Sequence, residues 1–147
     1  MSNSSPALAP LAPGLSAAGK LDRADIDALA DSGVRTIVNN RPDNEDPGQL
    51  PAAEARRIAE ARGIVYHHIP VTAATLSRGD VDAFAAVLAS APQPIVVHCR
   101  SGTRSTLLWA LARMREGADP LSLIAEAARH GIDIAALPAI AARLDHR

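Results

Sequence analysis

The chain has 147 residues, a net charge of −1 and one cysteine, and 48% of its residues are hydrophobic although only 2% are aromatic. That length suits a single domain whose core is built from Ala, Leu, Ile and Val. The near-neutral charge argues against a nucleic-acid or anionic-membrane partner, and no stretch approaches the roughly 18 apolar residues of a membrane span. A lone thiol excludes an internal disulfide and suits a reducing compartment, so we expect a cytoplasmic protein.

Residues 1–16 are rich in Ala, Pro and Ser. Prolines interrupt their apolar positions and no basic residue precedes them, which argues against a signal peptide. We expect a flexible arm with room for one edge strand, followed by a single domain over residues 17–147.

Helices and strands alternate along this predicted domain. Capping signals, helical periodicity and Gly or Pro boundaries predict helices over residues 22–32, 51–62, 77–88, 105–116, 119–130 and 138–144. Short apolar runs predict strands over residues 34–38, 64–69 and 94–98. The alternation is typical of an α/β fold with a mostly parallel central sheet flanked by helices, and the last helices form an extra cap at the C-terminus.

The sequence His-Cys-Arg-Ser-Gly-Thr-Arg-Ser at residues 98–105 joins a predicted buried strand to a predicted helix. Cys99 ends the strand, and the loop amides and first helix amides would point toward its sulfur. The helix N-terminus and two arginines favour the thiolate, and Ser105 can donate its hydroxyl to the sulfur. Gly102 permits the tight turn that this arrangement needs. We therefore predict a nucleophilic thiolate in an anion-binding loop.

Candidate site residues follow from this loop and from a polar loop over residues 39–48. The predicted catalytic residues are Cys99, Arg104 and Ser105, with Arg104 as the clamp for an anion. The predicted substrate-binding residues are Arg100, Ser101, Gly102, Thr103, Arg41 and Asp43. Asn39 and Asn40 suit either a substrate contact or a turn. His98 is expected to orient the loop, and no metal site or cofactor is predicted.

The loop resembles the active loops of two groups of cysteine-dependent enzymes. It is similar to the protein phosphatase signature of His-Cys, five residues, Arg and Ser or Thr, and to rhodanese loops of the form Cys-Arg-x-Gly-x-Arg. Together with residues 34–43 and 68–71, it resembles the bacterial beta-lactamase-hydrolase-like, phosphatase-like domain family over about residues 11–137. This family is also described as a sulfurtransferase family. The resemblance implies a dual-specificity-phosphatase-like fold and a functional partner in a metallo-hydrolase of sulfur oxidation.

Two departures from the phosphatase pattern bear on the chemistry. Four residues lie between Cys99 and Arg104, whereas the phosphatase signature has five, and a smaller ring of amides suits a sulfur atom better than a phosphoryl group. Residues 71–74, Val-Thr-Ala-Ala, hold no carboxylate where dual-specificity phosphatases have a general acid, although Asp43 could supply one. A thiolate or a sulfite leaves without a proton donor.

The sequence therefore favours a sulfurtransferase that forms a Cys99 persulfide, with small sulfur donors and acceptor thiols as partners. The alternative is a protein tyrosine or dual-specificity-like phosphatase that forms a phosphocysteine from a phospho-substrate. A third alternative is a module without catalysis that holds an anion or a phosphorylated ligand in the same loop.

Overall fold

One sheet organises the structure, a computed structural model that describes residues 6–145. Within those residues its strands are β1 (Ala9–Ala12), β2 (Leu15–Ala18), β3 (Thr36–Asn39), β4 (Val65–His68) and β5 (Ile95–His98). Their spatial order is β1-β2-β5-β3-β4, and all neighbouring pairs are parallel except the antiparallel pair of β1 and β2. The mostly parallel α/β sheet predicted from the sequence is confirmed.

Helices cover both faces of the sheet. In the described residues they are α1 (Arg23–Asp31), α2 (Ala52–Ala61), α3 (Arg78–Ser90), α4 (Thr103–Arg115), α5 (Pro120–Ala128) and α6 (Leu137–Asp145). Helices α1 and α2 share one core cluster with the sheet, and α3 to α6 share the other. The extra helices predicted at the C-terminus are therefore present, packed against α4.

Alternation along the central strands assigns side chains to these two cores. Ile37 of β3 and Val96 of β5 belong to the cluster under α1 and α2, whereas their neighbours Val38 and Val97 belong to the other. Successive residues of a strand point to opposite faces, so a strand buried on both faces needs a continuous apolar run. These short β-branched runs therefore fix the sheet between its two helical layers.

The N-terminal hairpin was missed by the sequence analysis. The sequence predicts a flexible arm with room for one edge strand over residues 1–16, but residues 9–12 form β1 and residues 15 and 16 form the first half of β2. The edge strand is confirmed as β1, whereas β2 is paired on both sides. Pro13 and Gly14 form the connecting turn, and Gly14 has a φ of 76°. Pro-Gly is a favoured turn pair, so the turn was visible although Ala and Ser have weak strand propensity.

Local capping signals placed most helix starts correctly. Asp22 and Asp25 form the predicted capping box of α1, and Ser77 and Asp80 form that of α3. Helix α4 begins at Thr103, two residues before the predicted start. No helix of residues 6–145 combines the length and apolar character needed to cross a membrane.

The sheet register brings polar residues together at one edge. Asn39 pairs with His68 on β4 and with His98 on β5, so the carboxyl ends of these three parallel strands are level. The polar loop after β3, the loop after β4 and the cysteine loop after β5 all leave the sheet at this edge. Ligands of such sheets commonly bind there.

We predict that Phe84→Ala lowers the free energy of unfolding by about 3–5 kcal/mol, because a buried Phe leaves a cavity that the core cannot refill. Phe84 has no exposed surface and lies in the core beneath α3. The measurement is urea unfolding followed by circular dichroism. Leu121→Ala, at a side chain that is 69% exposed, is the control and is expected to change stability by no more than about 0.5 kcal/mol. Equal losses in the two variants would contradict this assignment of the core.

Candidate active site

Cys99 lies at the point where β5 meets α4, and its side chain is buried. The backbone N–H of Gly102 donates a hydrogen bond to the Cys99 Sγ at 3.1 Å. Gly102 is the N-cap of α4 with a φ of 92°, a left-handed conformation that a Cβ would strain, and this turn aims the amide at the sulfur. A cysteine sealed in hydrocarbon would have no such donor. The predicted loop of amides around the thiol is therefore formed at Gly102.

Arg104 lies in the first turn of α4, and hydrogen bonds hold one edge of its guanidinium group. Its Nη1 donates to Glu45 Oε2 at 2.6 Å and to the Val71 carbonyl at 2.9 Å, and its Nη2 donates to Glu45 Oε1 at 2.9 Å. A guanidinium has five N–H donors in a fixed fork. The Nε–H and the second Nη2–H have no oxygen acceptor among residues 6–145, and they form the parallel pair of donors that can bind a phosphate or a carboxylate.

Cys99 and Arg104 are electrostatic neighbours. The hydrogen bonds that Arg104 donates to Glu45 are the largest cause that raises the pKa of Arg104 above its ordinary value, and Cys99 adds a smaller contribution of the same sign. A permanently charged guanidinium beside the sulfur stabilises negative charge there. Arg104, the predicted clamp for an anion, thus lies next to Cys99, the predicted nucleophile.

Glu45 and Asp46 form ion pairs with the arginines of the site. Glu45 Oε1 also accepts from Arg41 Nε at 3.0 Å, and Asp46 pairs with both Arg41 and Arg100, the latter at 3.0 Å from Nε to Oδ2. Hydrogen bonds from Arg104 and then from Arg41 hold the pKa of Glu45 below its ordinary value, against the effect of burial. Both carboxylates therefore act as acceptors that offset part of the positive charge of a cluster of three arginines.

Ser105 is buried but does not meet the sulfur as predicted. Its hydroxyl donates to Asn40 Oδ1 at 2.7 Å, and Asn40 Nδ2 donates to the Ile69 carbonyl at 2.9 Å. A hydroxyl has one proton, so the predicted donation to Cys99 is wrong in this structure. Ser105 instead joins α4 to the ends of β3 and β4. Asn40 was considered for a substrate contact or a turn, and its side chain instead joins distant segments of the chain.

Asp43 is hydrogen-bonded to the backbone at the start of α2. Its Oδ1 accepts from the backbone N–H of Ala52 at 2.8 Å, which satisfies one of the free amides at the start of α2. Asp43 was a candidate general acid, and this contact gives it a structural partner away from Cys99. Arg41, predicted to bind substrate, is 5% exposed and held by carboxylates.

The remaining predicted residues line the outer side of the cysteine loop. Arg100 is exposed, and its carbonyl accepts from the Lys20 backbone N–H at 3.1 Å. The hydroxyls of Ser101 and Thr103 lie 3.2 Å apart. Neither hydroxyl is hydrogen-bonded to Cys99, and within residues 6–145 the polar neighbours found for the sulfur are the Gly102 amide and Arg104.

His98 is a buried base behind the loop, as expected for an orienting residue. It is 5% exposed, and its Nδ1 donates a long hydrogen bond of 3.4 Å to the Cys99 carbonyl. Burial lowers the pKa of His98 to about 4, and the charges of Arg41 and His68 act in the same direction. The imidazole is therefore neutral at physiological pH.

Glu45 and Asp46 are the site residues that the sequence analysis did not single out. Glu45 lies 59 residues from Arg104 in the chain, so no local pattern pairs them. The signal available was two adjacent acids within a polar loop at the carboxyl end of a strand. Among residues 6–145, no three His, Cys, Asp or Glu side chains are grouped so that they could hold a metal ion.

Comparisons with known proteins found a matching family model and curated relatives. Residues 7–116 match the family model described as beta-lactamase hydrolase-like protein, phosphatase-like domain. The beta-lactamase hydrolase-like protein of Agrobacterium fabrum is 36% identical over 123 residues, which are 83% of this chain and 28% of that protein. The chain thus spans about a quarter of the length of the curated relatives that it matches.

Solved structures share the fold. A candidate phosphatase of Neisseria meningitidis superposes with a TM-score of 0.80 at 34% identity, covering 92% of this chain and 94% of that one. The Pseudomonas aeruginosa protein TpbA, a Cys-to-Ser variant in complex with pTyr, superposes with a TM-score of 0.61 at 19% identity, covering 78% and 67%. These findings favour the phosphatase alternative over the sulfurtransferase that the sequence analysis preferred.

We predict that stability falls on acidification because of His98. The unfolded chain binds this proton below about pH 6.5, whereas folded His98 stays neutral down to about pH 4. The free energy of unfolding should therefore decrease by up to about 3 kcal/mol as pH falls from 6.5 to 4. Urea titrations at several pH values measure this slope in the wild type and in His98→Gln. An equal slope in the variant would contradict the assignment.

We predict that Ser105→Ala lowers the free energy of unfolding by about 1–3 kcal/mol, because the buried Asn40 Oδ1 would lose its donor. Chemical denaturation at neutral pH is the measurement. Ser90→Ala is the matched control, since the Ser90 hydroxyl bonds to the Ala86 carbonyl at an exposed helix end. The control is expected to lie within about 0.5 kcal/mol of the wild type. A loss no larger at Ser105 than at Ser90 would disprove the buried network.

Proposed function

Because this chain belongs to the beta-lactamase hydrolase-like, phosphatase-like domain family, we propose that it is a cysteine-dependent phosphatase whose nucleophile is the Cys99 thiolate. The observation that carries the proposal is the pairing of one sulfur with a helix N-terminal amide and a half-occupied guanidinium. A phosphoryl group needs those donors for its equatorial oxygens. The structural likeness to phosphatases supports the same chemistry.

The proposed reaction has two steps at phosphorus. The Cys99 thiolate attacks, an S–P bond forms, and the P–O bond to the leaving group breaks with its electron pair on oxygen. Water then attacks the phosphocysteine, the S–P bond breaks, and the electron pair returns to sulfur. The proton of the water leaves with phosphate or solvent, so the thiolate is restored.

Each neighbour of the thiolate has a defined task in this scheme. The free Nε and Nη2 hydrogens of Arg104 bind two phosphoryl oxygens, while Glu45 keeps the opposite edge of the guanidinium fixed. The first amides of α4 have no acceptor inside the helix and bind the remaining oxygens. Binding an anion at the helix N-terminus also stabilises the charge that develops in the transition state.

A second candidate function is sulfur transfer, and one specific observation favours it. Only four residues separate Cys99 from Arg104, the spacing of the rhodanese-like loops that the sequence resembles. In that reaction Cys99 takes the outer sulfur of a thiosulfonate or persulfide, and an external thiol removes it. Mass spectrometry after incubation with thiosulfate distinguishes the two candidates, since sulfur transfer leaves one extra sulfur atom on Cys99. The activities of the longer relatives, including any metallo-hydrolase partner, are proposals for those whole proteins.

We predict that Cys99→Ser abolishes hydrolysis of nitrophenyl phosphate, because a serine hydroxyl is not ionised at neutral pH. Arg104→Lys should lower kcat/KM by roughly 10²-fold or more, since an ammonium cannot hold Glu45 and grip two oxygens at once. Steady-state kinetics measures both effects, and circular dichroism checks that each variant is folded.

The matched control is Arg113→Lys, at an exposed arginine near the other end of α4 that pairs with Glu116. Its kinetics should equal those of the wild type. Persistent phosphatase activity in folded Cys99→Ser protein would rule out the proposed nucleophile. Absence of phosphatase activity in the wild type, together with a sulfur adduct on Cys99, would reverse the order of the two candidates.

A further inference from the structure

The loop after β4 reaches the anion-binding arginine but brings no acid to it. The carbonyl of Val71 in this loop accepts from Arg104 Nη1 at 2.9 Å, so the loop lies against the site. Residues 69–77 include no Asp, Glu or His. A proton donor for a leaving group must therefore come from elsewhere.

Each of the three carboxyl groups described near the arginine cluster accepts a hydrogen bond. Asp43 accepts the backbone N–H of Ala52 at the start of α2. Glu45 accepts from Arg104 and Arg41, and Asp46 is shared by Arg41 and Arg100. Hydrogen bonds from two guanidinium groups hold the pKa of Glu45 below its ordinary value, so this carboxylate is ionised. The oxygens of Asp43 and Asp46 named above act as acceptors, directed at a backbone amide and at guanidinium groups.

The imidazoles beside the site do not replace a carboxylic acid. The Nε2 of His68 bonds to the Arg41 carbonyl at 2.9 Å, and because a carbonyl only accepts, that nitrogen carries a proton already committed to the backbone. His98 is buried behind the loop and bonds to the Cys99 carbonyl. In both rings the nitrogen that carries this proton is directed at a backbone carbonyl rather than at a group leaving from phosphorus.

Aromatic side chains also play no part in recognition at this site. The chain has one Tyr, one Phe and one Trp, and these residues are 3%, 0% and 4% exposed. The hydroxyl oxygen of Tyr66 accepts a hydrogen bond from Asn39 Nδ2 at 2.9 Å. The surface around the loop therefore offers no ring to stack on an aryl phosphate. Charge is the remaining means of recognition.

We propose, on the basis of the phosphatase activity proposed above, that the substrates are phosphoanhydrides, from which Cys99 removes the terminal phosphoryl group. The departing group is then a second phosphate, which leaves as an anion without needing a proton. An alkoxide does need one, and loss of general acid catalysis costs about 10²–10⁴-fold in rate. A site without a donor discriminates against alkyl phosphates by that factor.

Arg100 is placed to receive the departing phosphate. It follows Cys99 directly, its side chain is 62% exposed, and its charge is shared with only one carboxylate, Asp46. The backbone N–H of Lys20, the single lysine of the chain, donates to the Arg100 carbonyl at 3.1 Å, so a second cationic residue adjoins the cysteine loop. These exposed cations favour a substrate with a second anionic group.

The reaction conserves atoms and electrons without a further reactant. An S–P bond forms at Cys99 while the terminal P–O bond of the anhydride breaks, and the electron pair stays on the bridging oxygen of the departing phosphate. Water then cleaves the S–P bond, releasing inorganic phosphate and regenerating the thiolate. No group is oxidised or reduced.

The test is a series of leaving groups with the intact chain in the presence of EDTA. The series comprises dinitrophenyl, nitrophenyl and phenyl phosphate, glycerol phosphate and inorganic tripolyphosphate, with phosphate release as the readout. We expect kcat/KM to fall steeply as the leaving group becomes more basic, and tripolyphosphate to exceed glycerol phosphate by about 10²-fold or more. Equal rates for dinitrophenyl and glycerol phosphate would overturn the inference, because a proton donor would then be present. Turnover of dinitrophenyl phosphate without turnover of tripolyphosphate would overturn it too.

Failure of the phosphatase proposal itself has a different signature, which is no turnover of any compound, including dinitrophenyl phosphate. The role of Arg100 is tested with Arg100→Gln, which should lower kcat/KM for tripolyphosphate roughly tenfold more than for nitrophenyl phosphate, the effect of one charge-assisted hydrogen bond. Arg113→Gln is the matched control and should leave both values unchanged. An unchanged ratio of the two substrates in Arg100→Gln would exclude this role.

Discussion

The hydrogen bond from the Gly102 amide to the Cys99 sulfur is the interaction on which the rest of the site depends. It requires a strand that stops at Cys99, a helix that begins at Thr103, and a left-handed residue between them. The strand in turn requires neighbours on both sides, and β2 and β3 provide them. The fold thus serves to hold one sulfur at the positive end of a buried helix.

The ion pair of Glu45 and Arg104 is best understood as a positioning device. The two side chains are only 22% and 15% exposed, and burial of charges offsets much of the attraction between them, so the pair adds little net stability. Its geometry matters more, because one edge of the guanidinium is fixed and the other is left for a substrate. The acids and imidazoles described near the site are already hydrogen-bonded, and the proposed restriction on the leaving group follows from this. Phosphate, thiolate and sulfite all leave as anions without needing a proton. The restriction is therefore compatible with both candidate chemistries.

Sequence alone predicted those features that depend on neighbours in the chain. The apolar run of β5, the capping boxes of α1 and α3 and the turn at Gly102 each follow from a few adjacent residues. The partners of Ser105 and Arg104 did not, since they are supplied by residues 33 or more positions away. The hairpin of β1 and β2 was missed because its small residues become strand only through pairing with β5.

The spacing argument for sulfur transfer shows another limit of local patterns. One residue more or less in a loop changes the size of the ring of amides, but the sequence does not reveal which amides face the sulfur. In the structure, the direct backbone contact to the sulfur comes from Gly102, and the cation beside it comes from Arg104. The hydrogen-bond donors around these two contacts determine which substrate binds. The positions of these donors depend on the loops after β3 and β4.

The most direct measurement of the central claim is a crystal structure of the protein with vanadate, which mimics a phosphoryl group in transfer. The account predicts vanadium bonded to Cys99 Sγ, its oxygens held by Arg104 Nε and Nη2, and Glu45 still on the opposite edge of the guanidinium. Vanadate bound away from Cys99, or a Gly102 amide turned from the sulfur, would contradict it.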